Sequence, residues 1–380
     1  RAFPAPPPDP RDLRAATGAV ETGAAWVEAH ERLLLGAAAD AGRRGWWSVA
    51  TGIVVTMANY VPMRPYSTDW ETTGAELLAG IDPAHPARDD VLLALGMQAQ
   101  ARGRFDEALP MLRRARRGYV AAKDADRAAI AAAQYGVIHR RRGRLRLATA
   151  IHEWVVARLS PDLFPAQLGR ALLGRGNYIL ESYGDLEAGY ALLERALEYA
   201  RAGGDLDAES NILGTMGLMM RREGRPDRAR ELFEQALAIG RRTGSHTTAS
   251  ILSSYLTRAL LDLGELAQAQ ETAAAALATA RESQHQMLAR EAYSVSAQAA
   301  YARRDLVSAA EHALEAVRIG RQTGVLGLGG SLFTLAKIRL AEGDEAAAVA
   351  HAQEAREIYA RLNRPEADLI AAWLGSWTQE

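Results

Sequence analysis

Residues 211–237 read NILGTMGLMMRREGRPDRARELFEQAL, and this stretch predicts two helices joined by a tight turn. Gly224 marks the turn, because glycine accepts a positive φ without a Cβ clash. Pro226 suits the first position of the second helix, where a missing N–H is tolerated. Ala229 and Ala236 lie seven residues apart on one face of that helix. The stretch therefore predicts a helical hairpin whose helices cross closely at small side chains.

The same hairpin recurs along most of the chain with a period of about 40 residues. The turn positions are Gly103, Gly143, Gly184, Gly224, Gly264, Arg304 and Gly343. Five residues after each turn stand Ala108, Ala148, Gly189, Ala229, Ala269, Ala309 and Ala348. Twelve residues after it stand Ala115, Val155, Ala196, Ala236, Ala276, Ala316 and Ala355. Self-similarity of this kind is typical of helical repeat arrays, so the sequence predicts an all-α protein of about seven hairpins.

A third small position lies seven residues before each turn. It is occupied by Gly96, Gly136, Asn177, Gly217, Thr257, Ala297 and Ala336. With the two positions above, this pattern resembles the tetratricopeptide repeat family. The family's large residue in the second helix is present as Leu112, Leu193 and Phe233 but is His152 or alanine elsewhere. The unit is also about six residues longer than the family's 34. The resemblance implies a right-handed α-solenoid whose first helices line a concave surface.

We predict four regions from these boundaries. Residues 1–12 are a proline-rich linker, and 13–88 are an N-terminal helical region that caps the array. That region reads as a degenerate repeat if Ala75 takes the second small position. Residues 89–368 hold repeats one to seven, and 369–380 form a capping helix with an apolar stripe. The stripe comprises Leu369, Ala372, Trp373 and Trp377.

Composition and motifs argue against catalysis. The chain of 380 residues has no cysteine and a formal net charge of −1, so thiolate chemistry and bulk attraction to nucleic acid are excluded. No phosphate-binding loop, zinc-type histidine spacing or nucleophile elbow is present. His152 falls on a core-facing position, and the glycine-rich run 324–331 reads as a turn between repeats. We therefore expect no catalytic residue, no metal and no cofactor.

The inward stripe implied by the resemblance lies 3, 6, 10 and 13 residues before each turn. These offsets give polar and aromatic side chains at Arg140, Tyr178, Glu181, Asn211, Arg221, Arg258, Glu291, Gln298, Tyr301 and Lys337. Arg and Tyr are enriched at binding hot spots. The sequence therefore predicts a groove for a peptide, a protein or a small effector. A solvated groove without a ligand gives a similar list and stays open as the alternative.

The stretch 99–150 is strongly basic, with 13 Lys and Arg against four Asp and Glu. Three interpretations stay open: a solvated outer face, a docking site for an acidic partner, or contact with DNA. Nothing in the stretch resembles a recognition helix, so direct DNA binding is the least favoured.

The segment from Trp26 to Ala38 gives a second resemblance. It reads WVEAHERLLLGAA and follows a proline-rich stretch. This is similar to the junction in actinobacterial antibiotic-regulatory proteins and related signal-transduction ATPases, where an NB-ARC module and a winged helix lead into a helical arm. The junction often has Asn where this chain has Leu34. The resemblance implies a sensor or scaffold arm of a transcriptional regulator that docks on its own N-terminal modules.

Because the chain begins at Arg1, we expect a fragment of a cytoplasmic multidomain protein. A free-standing peptide-sensing receptor and an assembly scaffold are the alternatives. No apolar run is long enough for a membrane span, so a membrane partner is not expected.

Overall fold

The structure is a computed structural model that describes residues 26–27, 29–58, 68–182, 184–282, 286–323, 327–362 and 364–377. The predicted linker at 1–12 lies outside these ranges. The described residues form 18 α-helices and no strand, which confirms the all-α solenoid class. Contacts divide the chain into two units, residues 1–215 and 216–380, and the boundary falls inside one helix.

The first unit contains three N-terminal helices and three complete hairpins. Its helices are α1 (Glu31–Arg43), α2 (Trp47–Ala58), α3 (Thr68–Gly80), α4 (Ala87–Ala101), α5 (Phe105–Ala121), α6 (Ala125–Arg141), α7 (Leu145–Val156), α8 (Pro165–Glu181) and α9 (Leu186–Ala202). Helix α10 (Leu206–Arg222) begins in this unit and ends in the next. The hairpins pair α4 with α5, α6 with α7, and α8 with α9.

The second unit continues the hairpins and ends on a single helix. Its helices are α11 (Pro226–Arg242), α12 (His246–Leu263), α13 (Leu266–Glu282), α14 (Gln286–Ala302), α15 (Leu306–Thr323), α16 (Leu328–Ala341), α17 (Glu345–Arg361) and α18 (Glu366–Trp377). The hairpins pair α12 with α13, α14 with α15, and α16 with α17.

The small positions are small because large side chains of the partner helix fill the space beside them. A Cβ placed on Gly217 would lie 2.5 Å from Cε1 of Phe233, and one on Gly136 would lie 2.6 Å from Cε1 of His152. Ala229 and Ala236 have no exposed surface. Close packing of this kind leaves no room for an added methyl group unless the facing side chain or the backbone moves.

The turn geometry corrects the predicted register of the third repeat. Gly224 has φ 76°, as the turn position requires, whereas Gly184 is not in the left-handed region. The N–H of Gly184 donates to the carbonyl of Ile179, which is the bond that the residue after the turn makes elsewhere. Thus Gly184 stands one residue past the turn position. In the first helix of this repeat, Gly176 rather than Asn177 is the small residue beside Leu193.

The two ends of the array also differ in detail from the prediction. Ala75 is exposed, and Gly74 faces Leu95 in its place, so the N-terminal region does not keep the predicted repeat register. At the other end the capping helix begins at Glu366. Its buried side is formed by Ile370 with Trp373 and Leu374, while Leu369 is 66% exposed. The side chain of Trp377 lies outside the described part of the structure.

Candidate functional site

Within each unit the first helices of successive hairpins form the more closely packed layer. Helix α12 packs on α14, and α14 on α16, whereas the second helices α13 and α15 contact each other at most marginally. The same holds for α4, α6 and α8 in the first unit. We call the solvent-facing surface of α12, α14 and α16 the inner face of the second unit. Repeat arrays use surfaces of this kind for binding.

In the first unit the predicted groove residues lie on three helices, α6, α8 and α10. Arg140 is half-buried on α6, and Asn211 is exposed and donates from Nδ2 to the carbonyl of Asp207 at 2.8 Å. Tyr178 occupies the position that holds the fully buried Ile138 one repeat earlier. The predicted stripe was counted back from Gly184, which lies one residue past the turn. Tyr178 and Glu181 therefore each lie one residue beyond the stripe position that they were predicted to occupy. The side chain of Glu181 lies outside the described residues.

Two of the predicted groove arginines are held by acids of the neighbouring repeat. Arg221 contacts Asp262 through Nε at 2.5 Å and through Nη2 at 3.2 Å. Arg258 Nη2 lies 2.6 Å from Glu291 Oε1. The sequence reading identified these arginines but did not predict the ion pairs. Both arginines therefore join repeats, and their charges are already balanced within the protein.

The Arg258–Glu291 pair extends into a small network. Arg290 contacts the other oxygen of Glu291 at 3.1 Å and donates to the carbonyl of Gly327 at 3.2 Å. Burial raises the pKa of Glu291, but the charges of Arg258 and Arg290 outweigh it and hold that pKa below its usual value. The same pairing raises the pKa of Arg258 against the opposing effect of burial. The network links α12, α14 and the start of α16.

Lys337 differs from these arginines. Its side chain is half-buried, its Nζ lies 4.3 Å from the ring centroid of Phe333, and it forms no ion pair with any described residue. Burial lowers its pKa. Phe333 in turn meets Trp373 of the capping helix edge to face, with ring centroids 5.3 Å apart. Tyr301 packs on the same hydrophobic cluster.

Gln298 completes the predicted set in this unit. Its Nε2 donates to the hydroxyl of Ser294 one turn earlier, at 3.4 Å. Of the predicted residues, the structure therefore groups Tyr301 and Lys337 with two aromatic side chains, Phe333 and Trp373, that the groove prediction did not include. Trp373 was predicted only as part of a cap. The spacing of Phe333, ten residues before its turn, placed it on the predicted stripe.

No metal site is found in the described part of the chain, which contains no suitable group of three or more His, Asp and Glu. His152 is 2% exposed and packs between Gly136 and Gly174, as a core histidine. Burial, with a smaller contribution from Arg140, lowers its pKa to about 4.

Much of the basic stretch 99–150 is neutralised by acids outside it or within it. Arg102 contacts Glu71 at 2.8 Å, and Arg104 contacts the same carboxylate. Arg142 contacts Asp106 at 2.6 Å. Pairs with acids outside the stretch, such as Glu71, lower its net positive charge, whereas Arg113, Arg116 and Arg117 on α5 form no ion pair with a described residue.

Comparisons with known proteins agree with the geometry. Residues 167–242 and 220–292 each match a family described as tetratricopeptide repeat, so the chain carries repeats of that class. A search of curated proteins finds no match.

Several solved structures share the fold. A Rap protein complexed with competence and sporulation factor is 13% identical, with a TM-score of 0.62 over 87% of this chain and 98% of that one. The quorum sensor NprR from B. thuringiensis is 14% identical, with a TM-score of 0.55 over 75% of this chain and 81% of that one.

A signal transduction ATPase with numerous domains from Pyrococcus horikoshii, which has a tetratricopeptide repeat sensor, is 17% identical, with a TM-score of 0.53. The match covers 85% of this chain and 50% of the ATPase chain. At these identities the likeness concerns the fold.

None of the described helices has the length and apolar character that a membrane span requires.

Proposed function

We propose that the chain is a non-catalytic binding arm that takes an extended peptide or protein segment on the inner face of its second unit. The observation that carries the proposal is Lys337, a half-buried cation beside Phe333 that is not ion-paired with a described residue. A segment with an acidic group for Lys337 and an apolar group for the aromatic side chains fits this surface.

The electrostatic argument rests on what burial does to a lysine. Removing an ammonium group from water is unfavourable unless a counter-charge or a good set of hydrogen bonds replaces the water. Contact with the face of Phe333 replaces part of that stabilisation. A ligand carboxylate at Lys337 would replace the rest, and the lowered pKa of Lys337 would return toward its ordinary value. The paired Arg258 and Arg221 gain much less from a ligand anion.

The wider role that we propose is the sensor or scaffold arm of a cytoplasmic, signal-transduction ATPase-type transcriptional regulator. The resemblance of the segment from Trp26 to Ala38 to such junctions supports it, as does the shared fold with an ATPase that has a repeat sensor. The ligand would act by binding one arrangement of the arm better than another, which shifts the population of the two.

The coding sequence upstream of Arg1 tests this wider role. An NB-ARC module with a G-x-x-x-x-G-K-[ST] loop followed by a winged helix supports the regulator. A start codon directly before this segment favours a free-standing peptide receptor or an assembly scaffold. The Rap and NprR structures, which share the fold, support the receptor as the second candidate.

The binding proposal is tested with peptides selected on the purified chain from a random library. We expect the selected peptides to combine acidic and apolar residues. Lys337→Gln and Tyr301→Ala should each weaken their binding in titration calorimetry by about tenfold. Arg356→Gln is the control, because Arg356 is an exposed cation on the second helix of the same repeat. Equal binding by wild type and Lys337→Gln contradicts the proposed site.

A further inference from the structure

The first unit holds a second candidate site, which lies between α5 and α6. A cavity of about 380 Å³, open to solvent, is lined by Arg113, Arg116, Arg117 and Tyr135. None of these three arginines forms an ion pair with a described residue, in contrast to Arg104 and Arg142 on the same two hairpins. The cavity therefore has a concentrated positive charge that the protein does not balance.

Aromatic rings hold two of these guanidinium groups in place, those of Arg113 and Arg116. Arg113 lies 5.6 Å from the ring centroid of Tyr135, and its Nε donates to the Tyr135 hydroxyl. Arg116 and Arg158 lie 5.4 and 4.2 Å from the ring centroid of Trp154. A guanidinium that rests on an aromatic face keeps N–H groups at its edge for an anion, and less of its conformational freedom is lost on binding.

The same positions in the other repeats show that this arrangement is not required by the fold. Ten residues after the turn, where this repeat has Arg113, the others have Glu153, Glu194, Glu234, Ala274, Leu314 and Gln353. Thirteen residues after the turn, where it has Arg116, five of the six others have Val156, Leu197, Leu237, Leu277 and Val317. Two departures from the scaffold pattern on one helix, both of which place a guanidinium at the same cavity, point to a function.

The nearby acids do not neutralise the cavity. Glu153 on α7 contacts Arg175 at 3.5 Å. Asp89 faces Gly118 and Arg114, on another side of α5. Arg113, Arg116 and Arg117 line the cavity, and Arg158 lies beside Arg116 on the ring of Trp154. Together these four arginines contribute a charge of +4.

We propose that Arg113, Arg116 and Arg117 form a binding site for a ligand that carries a pyrophosphate-type group. A carboxylate brings one negative charge, whereas linked phosphates bring several within a few ångströms and offer oxygens on every side. Guanidinium groups bind phosphate oxygens through paired N–H donors. The volume of the cavity exceeds that of one phosphate and lies at the lower end of the range for small-molecule sites.

The test is titration calorimetry of the purified chain with inorganic pyrophosphate, at two salt concentrations. Arg113→Gln and Arg117→Gln should each weaken binding by about tenfold, since each removes a charge-assisted pair of hydrogen bonds. Arg114→Gln is the matched control, because it removes the same charge one residue away on the same helix but faces Asp89. It should change the affinity by less than about twofold. Melting temperatures check that every variant is folded.

Three outcomes overturn the proposal. The first is no binding of pyrophosphate up to about 10 mM, a dissociation constant that corresponds to a binding free energy of only about 3 kcal/mol. The second is an equal loss of affinity in Arg114→Gln and Arg117→Gln, which shows attraction by net charge alone. The third is tighter binding of an oligoglutamate peptide than of pyrophosphate, with the same dependence on Arg113 and Arg117. That result assigns the cavity to an acidic protein segment.

Discussion

Arg221 at the end of α10 contacts Asp262 near the end of α12 with two hydrogen bonds, from Nε at 2.5 Å and from Nη2 at 3.2 Å. The two residues lie 41 positions apart, one repeat along the chain. A two-point contact of this kind fixes the distance and the orientation of the two helix ends. Arg221 thus joins two neighbouring repeats, and the ligand contact that its type and position predicted stays a prediction.

The first prediction concerns this pair. Both side chains are about one third exposed, so the pair should contribute no more than about 1 kcal/mol to the free energy of unfolding. Arg221→Ala and Asp262→Ala should therefore each cost about that amount, and the double variant should cost little more than either one. Urea unfolding of the four proteins measures the coupling. Strictly additive losses would show that the two residues act independently.

The second prediction concerns the network of Arg258, Glu291 and Arg290. Glu291→Gln leaves two largely buried guanidinium groups without their counter-charge. Removing one partner of a fully buried pair costs about 3–5 kcal/mol, and the residual exposure of this one reduces the expected loss to about 2–3 kcal/mol. The measurement is the midpoint of urea unfolding of the purified chain. Glu354→Gln is the control, because its pair with Arg321 is exposed and should contribute little.

The pH dependence of this network has a definite sign. The folded pKa of Glu291 lies below the unfolded one, so the unfolded state takes up a proton first as the pH falls. The stabilisation is complete above the usual glutamate pKa and is lost as the pH falls through the folded value. In Glu291→Gln this acid-side loss should be absent.

The third prediction concerns His152. Its folded pKa of about 4 lies below the ordinary histidine value of 6.5, because burial disfavours the charged ring. The unfolded state therefore binds a proton between these two values, and stability falls as the pH drops from about 7 to about 4. The full difference corresponds to about 3 kcal/mol.

His152→Leu tests this directly, because leucine occupies the corresponding position as Leu112 and Leu193. The variant should be at least as stable as wild type at pH 5 and should have a flatter dependence of the urea midpoint on pH. An unchanged dependence would mean that other groups dominate acid unfolding.

The repeat period and the small positions were readable from the sequence because both follow from local geometry. A turn such as the one at Gly224 needs a positive φ, and a helix crossing such as the one at Ala229 and Ala236 needs small side chains. The register of one repeat was not readable. One more residue than in most of the other repeats stands between the two helices near Gly184. The spacing from Gly184 selects Asn177, whereas the small residue beside Leu193 is Gly176, so spacing alone does not give the register.

The ion pairs of the inner face were also beyond the sequence reading. Whether Arg258 reaches Glu291 depends on the angle and the distance between α12 and α14. The helical periodicity of residues within one helix does not specify either quantity. Sequence analysis therefore placed Arg221, Arg258 and Lys337 on one predicted stripe but did not distinguish the paired Arg221 and Arg258 from Lys337.

The fourth prediction concerns the helix crossing at Ala236. Its side chain has no exposed surface. Ala236→Leu adds three carbon atoms to this crossing, which should force the helices apart and lower the free energy of unfolding by about 1–3 kcal/mol. Ala238→Leu makes the same chemical change two residues along α11, where the side chain is exposed. It should alter stability by less than about 0.5 kcal/mol. Urea unfolding separates the two variants, and a loss in Ala238→Leu equal to that in Ala236→Leu would contradict the assigned crossing face. Because both substitutions replace one strong helix former with another, the difference between them reports the crossing itself rather than helix propensity.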